Sequence, residues 1–402
     1  MSRFKHYIIF SLILFIVSIK TVNAQVHSSQ SKDTIERTQK DIIDLFRKKT
    51  INKPSDKPKG NGPFFSCMPA IGYTMLSGLT GTFVASTSFY TDTNKTHFST
   101  ILLNSNYSQF NQYWFILNTN IFIDRYKLHF VGDTRYYKFP TNTYGLNINN
   151  TFQDALSIDY SYLRAYEYLY RKIAKNIYGG IGYNLDYHWN ITSDTIPNTT
   201  YSDFQKYNSG KHSVSSGLSF NFQFDNRKNA NNPQNGYYAL VQYRNNLTFM
   251  GSESNLQYLL LDFRHYIRFP KSSRNNLCFW NYNKITLSGT APYLDLPSIG
   301  WDEYSNTGRG YVPGRFTGKN LFYLESEYRF SITKNGLLGG VVFGNAETLT
   351  QSISDNIKTI IPGGGLGLRI KINKHSNTNI AIDYGFGVGD SHGLIFNLGE
   401  VF

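Results

Sequence analysis

The stretch Tyr323-Leu324-Glu325-Ser326-Glu327-Tyr328-Arg329-Phe330 decides the fold. Side chains of a strand point alternately to its two faces, so Glu325, Glu327 and Arg329 share one face and Leu324, Tyr328 and Phe330 the other. Two more stretches repeat the pattern. In Leu366-Gly367-Leu368-Arg369-Ile370-Lys371-Ile372 the aliphatic residues point one way and Arg369 and Lys371 the other, and within 261–269 Asp262, Arg264 and Arg268 fall on one face. A two-sheet sandwich needs one dry face on every strand. Charge on one face of several strands, with apolar residues on the opposite face, instead predicts a barrel with a wet lumen and a lipid-facing exterior.

Period two continues in both directions from these stretches. Sixteen strand-like segments run at 69–76, 79–92, 97–109, 112–123, 126–138, 154–168, 176–192, 211–224, 236–249, 255–269, 276–289, 319–333, 337–346, 362–373, 378–388 and 394–402. The predicted fold is all-β: a 16-stranded antiparallel transmembrane β-barrel closed between its first and last strands, preceded by a short amphipathic helix. With both termini on the periplasmic side and an even strand number, the long connections at 139–153, 193–210, 290–318 and 347–361 all fall on the outer side. The short turns at 124–125 and 373–377 then fall inside. The 31 Tyr and 30 Phe, in a chain with only 17% charged residues, suit strands that alternate between lipid and lumen.

Residues 1–24 have the pattern of a secretory signal peptide: Arg3 and Lys5, an apolar run from Tyr7 to Ile19, and Val22-Asn23-Ala24 before Gln25. Residues 25–66 read as a helix at about 33–49, opened by Asp33-Thr34-Ile35-Glu36 and striped by Ile35, Ile42, Ile43 and Phe46, followed by a flexible linker through Pro54 and Pro58. The barrel domain is assigned to 67–402. The formal charge is +13, but the basic residues are scattered singly outside the linker, which argues against nucleic acid as a partner. Cys67 and Cys278 are too few for a disulfide framework. No metal-ligand cluster, phosphate loop or nucleophile beside a base stands out, so no cofactor and no enzymatic activity are expected.

One connection is built differently from the rest. Gly308-Arg309-Gly310-Tyr311-Val312-Pro313-Gly314-Arg315-Phe316 contains too much glycine and proline for helix or ladder. An arginine between glycines is useful where its rigid fork of donors meets fixed acceptors. If the loop folds into the lumen, the acceptors in reach are Glu325, Glu327, Asn345 and Asp383, with Arg315, past the turn, facing solvent.

Four motifs together resemble the BamA/TamA superfamily of outer-membrane barrels, also called bacterial surface antigens. They are the loop Gly308-Arg309-Gly310-Tyr311; the periplasmic turn Asp225-Asn226-Arg227 with Pro233 and Gly236; 363–368 followed by Asp383-Tyr384-Gly385; and the terminal strand ending in Phe402. The resemblance is to a short, barrel-only branch lacking the periplasmic repeat domains. Where such proteins place an aspartate to pair with the loop arginine, this chain has Asn345. The resemblance implies a lateral seam between first and last strands, here Ala70, Ile71, Gly72 and Tyr73 against Leu394, Phe396, Gly399 and Phe402. Through it the barrel would act in assembly, insertion or translocation of outer-membrane or surface proteins. Implied partners are outer-membrane lipid, periplasmic accessory proteins and unfolded outer-membrane protein clients. A passive channel for small solutes is the alternative reading, and an outer-membrane enzyme a more remote one.

Overall fold

The computed structural model describes residues 39–42, 44, 63–91, 99–123, 127–146, 148–194, 202–207, 210–230, 232–355, 357, 359–374 and 377–402. The signal-peptide segment and most of the expected N-terminal helix and linker lie outside them. Sixteen long strands are present: β1 (Phe64–Thr74), β2 (Gly78–Phe89), β3 (Ser99–Ser108), β4 (Tyr113–Ile123), β5 (Leu128–Lys138), β7 (Leu156–Ala174), β8 (Ile177–Ser193), β9 (His212–Asp225), β10 (Gly236–Asn246), β11 (Leu256–Arg268), β12 (Asn276–Gly289), β13 (Asn320–Ser331), β14 (Leu338–Thr350), β15 (Ile361–Asn373), β16 (Thr378–Gly387) and β17 (His392–Leu398). A three-residue piece, β6 (Thr141–Thr143), adds to β7 alone. Each long strand pairs antiparallel with its sequence neighbour, β5 with β7 across the short piece. One continuous antiparallel wall results, which excludes a pair of facing sheets.

The two faces of the wall have opposite chemistry. The inner face buries Arg135, Arg164, Asp186, Arg244, Asp262, Arg264, Glu325, Glu327, Arg329, Arg369 and Asp383, while Phe65, Ile71, Phe115, Ile181, Phe220, Leu324, Val342 and Leu366 are exposed on the outside. A soluble protein inverts this arrangement, and an apolar belt outside a polar interior is what a bilayer selects. The tyrosines contribute to the lumen. Tyr162 and Tyr166 of β7 donate to the Asp186 carboxylate at 2.5 and 2.9 Å, and Arg244 donates to the Tyr166 hydroxyl at 2.9 Å. Strand direction opens the connections that leave β5, β8 and β12 at one end of the barrel, and puts the short turns between β7 and β8, β13 and β14, and β15 and β16, with the start of β1 and the end of β17, at the other.

The two ends of the chain depart from expectation. β1 begins at Phe64, before the assigned domain boundary at 67, and runs 11 residues where a strand starting at 69 was expected. The last strand stops at Leu398 instead of running to Phe402. Gly399, at φ +100°, turns the tail into the lumen. There Phe402 stacks on Trp280 with ring centroids 5.2 Å apart, and its carbonyl accepts from Arg329 Nη2 at 3.0 Å. A ring 4% exposed and packed in this way makes Phe402→Ala expensive, by about 3–5 kcal/mol on the scale of buried Phe-to-Ala changes. The heat-modifiability midpoint on gels is expected to fall markedly, with loss of the Trp280 near-UV signal; an unchanged midpoint would remove the tail from the set of contacts that hold the barrel.

Candidate functional site: the inward loop and the seam

The connection 290–319 folds back into the barrel as a small hairpin of its own. Ser298 bridges Thr317, Gly314 N–H donates to the Ile299 carbonyl at 2.8 Å, and Asp302 caps the tip by accepting from the Asn306 and Thr307 backbone at 3.0 and 2.8 Å. Glycine is required at the tip for two reasons. Gly308 and Gly310 sit at φ +72° and +108°, where other residues are strained. A Cβ on Gly310 would also meet the Phe386 carbonyl oxygen at 2.6 Å, and one on Gly385 would meet Gly310 N at 2.6 Å. Loop and β16 thus meet glycine to glycine, backbone against backbone.

That approach delivers Arg309, 2% exposed, into a nest of carboxylates. Its Nη1 donates to Asp383 Oδ2 at 2.7 Å, and Nη2 donates to both Glu325 Oε1 and Glu327 Oε1. The guanidinium lies over the Phe343 ring, 3.7 Å from its centroid. Burial opposes this charge, and Glu325, Glu327 and Asp383 more than offset it, holding Arg309 firmly protonated. The carboxylates have further cations. Arg329 Nε donates to Glu327 at 2.6 Å, Arg369 Nη1 to Asp383 at 2.5 Å and Arg369 Nε to Glu400 at 2.7 Å. Tyr311 extends the attachment: its hydroxyl donates to the Pro362 carbonyl and accepts from Val388 N–H at 2.9 Å.

Two expectations about this loop need correction. Asn345 makes no bond to the Arg309 guanidinium; its Nδ2 donates to the Arg309 carbonyl at 2.9 Å, so the residue fixes the loop backbone and the charge is met elsewhere. Arg315 is not in solvent. It is 3% exposed, covers the Phe152 ring at 4.1 Å and donates to Ser391 Oγ and to the Asn150 carbonyl. Arg329 and Arg369 were visible as inward positions on their strands, but their part in this network was not. Glu400 reaches it only because the chain turns at Gly399, which period two could not foresee.

The other half of the loop is tied to distant strands. Arg135 Nη2 of β5 donates to the Glu303 carbonyl at 2.6 Å and Ser215 Oγ of β9 donates to Asp295 Oδ2 at 2.5 Å, with His188 Nδ1 3.6 Å from Asp295 Oδ1. Burial, with the Asp186 charge adding to it, pushes the Asp295 carboxyl up to about 7. The loop therefore crosses the lumen from β5 and β9 to β13–β16. Beside it remains a cavity of about 810 Å³, bounded by Met75 and Leu76, by Asn104, Trp114 and Asn118, by the loop itself and by Ile395–Leu398 of β17.

That cavity reaches the place where the barrel meets itself. Among the described residues no ladder joins β1 to β17: β1 is hydrogen-bonded along Phe64–Thr74 to β2, β17 along His392–Leu398 to β16, and the two outer edges face each other bare. Ala70, Ile71, Gly72 and Tyr73 lie on the β1 edge, and Leu394 and Phe396 on β17. Gly399 and Phe402 do not belong to the seam, because the tail has turned inward. Residues 65–71 are exposed on both faces of β1, so little packing holds that strand. The ends touch where the Met75 side chain fills the space a Cβ on Gly393 would need. At the opposite pole, Arg227 clasps Asp225 at 3.0 and 2.8 Å and covers the Tyr238 ring at 4.5 Å. Gly236, at φ +115°, closes the same turn over Asn226, and Pro233 lies within it.

A lipid-facing, sixteen-stranded barrel with a charged lumen crossed by its own loop defines the class: this is the barrel fold of outer-membrane proteins. Solved structures share it, among them the following two. BamA from Haemophilus ducreyi, in a form lacking POTRA domains 1–3, matches with a TM-score of 0.53 and 16% identity over 83% of this chain and 68% of that one. CdiB from Acinetobacter baumannii matches with a TM-score of 0.52 and 14% identity over 84% of this chain, which spans 60% of the length of CdiB. No family model and no curated protein matches the sequence.

Proposed function

We propose that the protein is exported by its N-terminal signal segment to the outer membrane and works there as an assembly or translocation barrel. Its bare β1 edge would receive strands of unfolded outer-membrane or surface proteins. The observation that carries this reading is the seam: on the side of β1 turned away from β2, alternate residues along Phe64–Thr74 leave backbone groups outside any ladder next to a cavity in the lumen, the arrangement that templates strand addition. The two similar structures support the fold on which the reading depends. The short-turn end, with the termini, faces the periplasm and accessory proteins there. In the described part of the N-terminal segment, Asp44 accepts from Lys374 Nζ at 2.7 Å and Asp41 from Lys374 N–H at 3.1 Å, contacts that support a docking of this segment at the turn between β15 and β16. No catalytic role is proposed.

Depletion of the protein in its native bacterium tests this. Loss of a subset of heat-modifiable or surface-exposed outer-membrane proteins, with their unfolded forms accumulating in the periplasm, is the expected result. An unchanged outer-membrane and surface proteome with reduced uptake of small solutes would identify a passive channel instead.

A further inference from the structure

Among the described residues, the two rims of the barrel differ in charge. At the long-loop end acids and bases mix and pair locally, as in Lys138 with Asp159 and Lys206 with Asp203. At the short-turn end Arg171, Lys172, Lys175, Lys271 and Lys334 project from three separate turns. Lys175, Lys271 and Lys334 are on turns and Arg171 and Lys172 near the end of β7; none makes an ion pair with a described carboxylate, and all five are exposed. Of the acids described at this end, Asp225 and Asp44 are already held by Arg227 and Lys374, and Asp41 accepts from the Lys374 N–H. The cations also follow outward-facing apolar residues at each turn: Ile173, 64% exposed, next to Lys175; Phe269, 53%, before Lys271; Ile332, 55%, before Lys334. An apolar side chain aimed at acyl chains with a cation two residues further on sets that cation at headgroup level.

We propose that this rim is a docking surface for anionic phospholipid headgroups of the leaflet at the short-turn end. The chemistry that recognises them is a phosphodiester without a compensating ammonium, engaged by several lysines and one arginine at once. The alternation of exposed apolar residue and cation favours a lipid over an acidic polypeptide, which would have no use for Ile173, Phe269 and Ile332 pointing away from the barrel. A ring of this kind would anchor the end from which strands approach the seam and fix its depth in the leaflet. The assignment of that end to the periplasm rests on the function proposed above; the lipid preference does not.

The test uses the purified full chain in mixed micelles holding equal amounts of phosphatidylcholine and phosphatidylglycerol, with retained lipids counted by native mass spectrometry. The expected ratio of retained phosphatidylglycerol to phosphatidylcholine is at least about fivefold, falling toward one at high salt as screening shortens. Neutralising the rim by R171Q/K175Q/K271Q/K334Q is expected to bring the ratio to about one while heat-modifiability shows the barrel intact. The set K138Q/K206Q/K211Q/K319Q at the other end is expected to leave it unchanged. Equal retention by the unaltered protein, an undiminished ratio in the rim variant, or loss of preference on changing only the other end would overturn the proposal. So would binding of oligoglutamate without preference for phosphatidylglycerol, which would put an acidic polypeptide in place of the lipid. Since no client enters this assay, its failure would leave the function proposed for the seam standing.

Discussion

Arg309→Ala is expected to detach the loop tip from β13–β16 and leave the barrel folded. The arginine meets Glu325, Glu327 and Asp383 where all four side chains are withdrawn from water. Its removal leaves Glu325, Glu327 and Asp383 to share with Glu400 the charges of Arg329 and Arg369. Taking one partner from a buried ion pair costs about 3–5 kcal/mol because the other charge stays behind. That sum exceeds what the remaining tip contacts, chiefly the Tyr311 hydroxyl and Asn345, supply at about 1 kcal/mol each. The wall is unaffected, since every strand keeps its neighbours. Planar-bilayer recordings are expected to show larger and noisier conductance, and added protease to cut within 300–316. Arg309→Lys is expected to fall between, an ammonium lacking the planar fork that reaches several acceptors at once. Conductance and protease resistance equal to those of the unaltered protein would mean that the loop is held by its Asp295 and Glu303 end alone.

Most of the wall could be read from the sequence because period two is a local property. Each strand carries its own record of which face is wet, and a segment such as 366–372 states it without reference to its neighbours. For the same reason the loop's acceptors could be named: Glu325, Glu327 and Asp383 were inward by parity, and an arginine between glycines needed partners. What parity cannot convey is where a chain leaves the wall. Gly399 looks like one more residue of a terminal strand until φ +100° sends Glu400 and Phe402 into the lumen, and Arg315 looked solvated because the loop 139–155 that covers it is distant in sequence. Asn345 shows a subtler limit. Its position beside Arg309 was legible, but whether an amide serves a guanidinium or a backbone carbonyl is decided by how closely Gly310 lets the loop approach. The seam between β1 and β17 was expected from the family resemblance, but parity alone could not show that no ladder closes it, because each strand reports only its own two faces.

The account rests on the seam opening in function, and one disulfide tests that claim most directly. The Met75 side chain occupies the space of a Cβ at residue 393, so cysteines at these two positions fall within bridging distance without backbone movement. The background needs Cys67→Ser and Cys278→Ala, since both native thiols are free. In Met75→Cys/Gly393→Cys the oxidised barrel is expected to form its bridge and to lose at least about tenfold of its support for outer-membrane protein assembly in the depleted strain. Reduction is expected to restore it. Recovery on reduction separates locking from misfolding, because a misfolded barrel would not regain activity when the bond is broken. Full activity with the bridge demonstrably closed would contradict the account and leave a barrel that works shut.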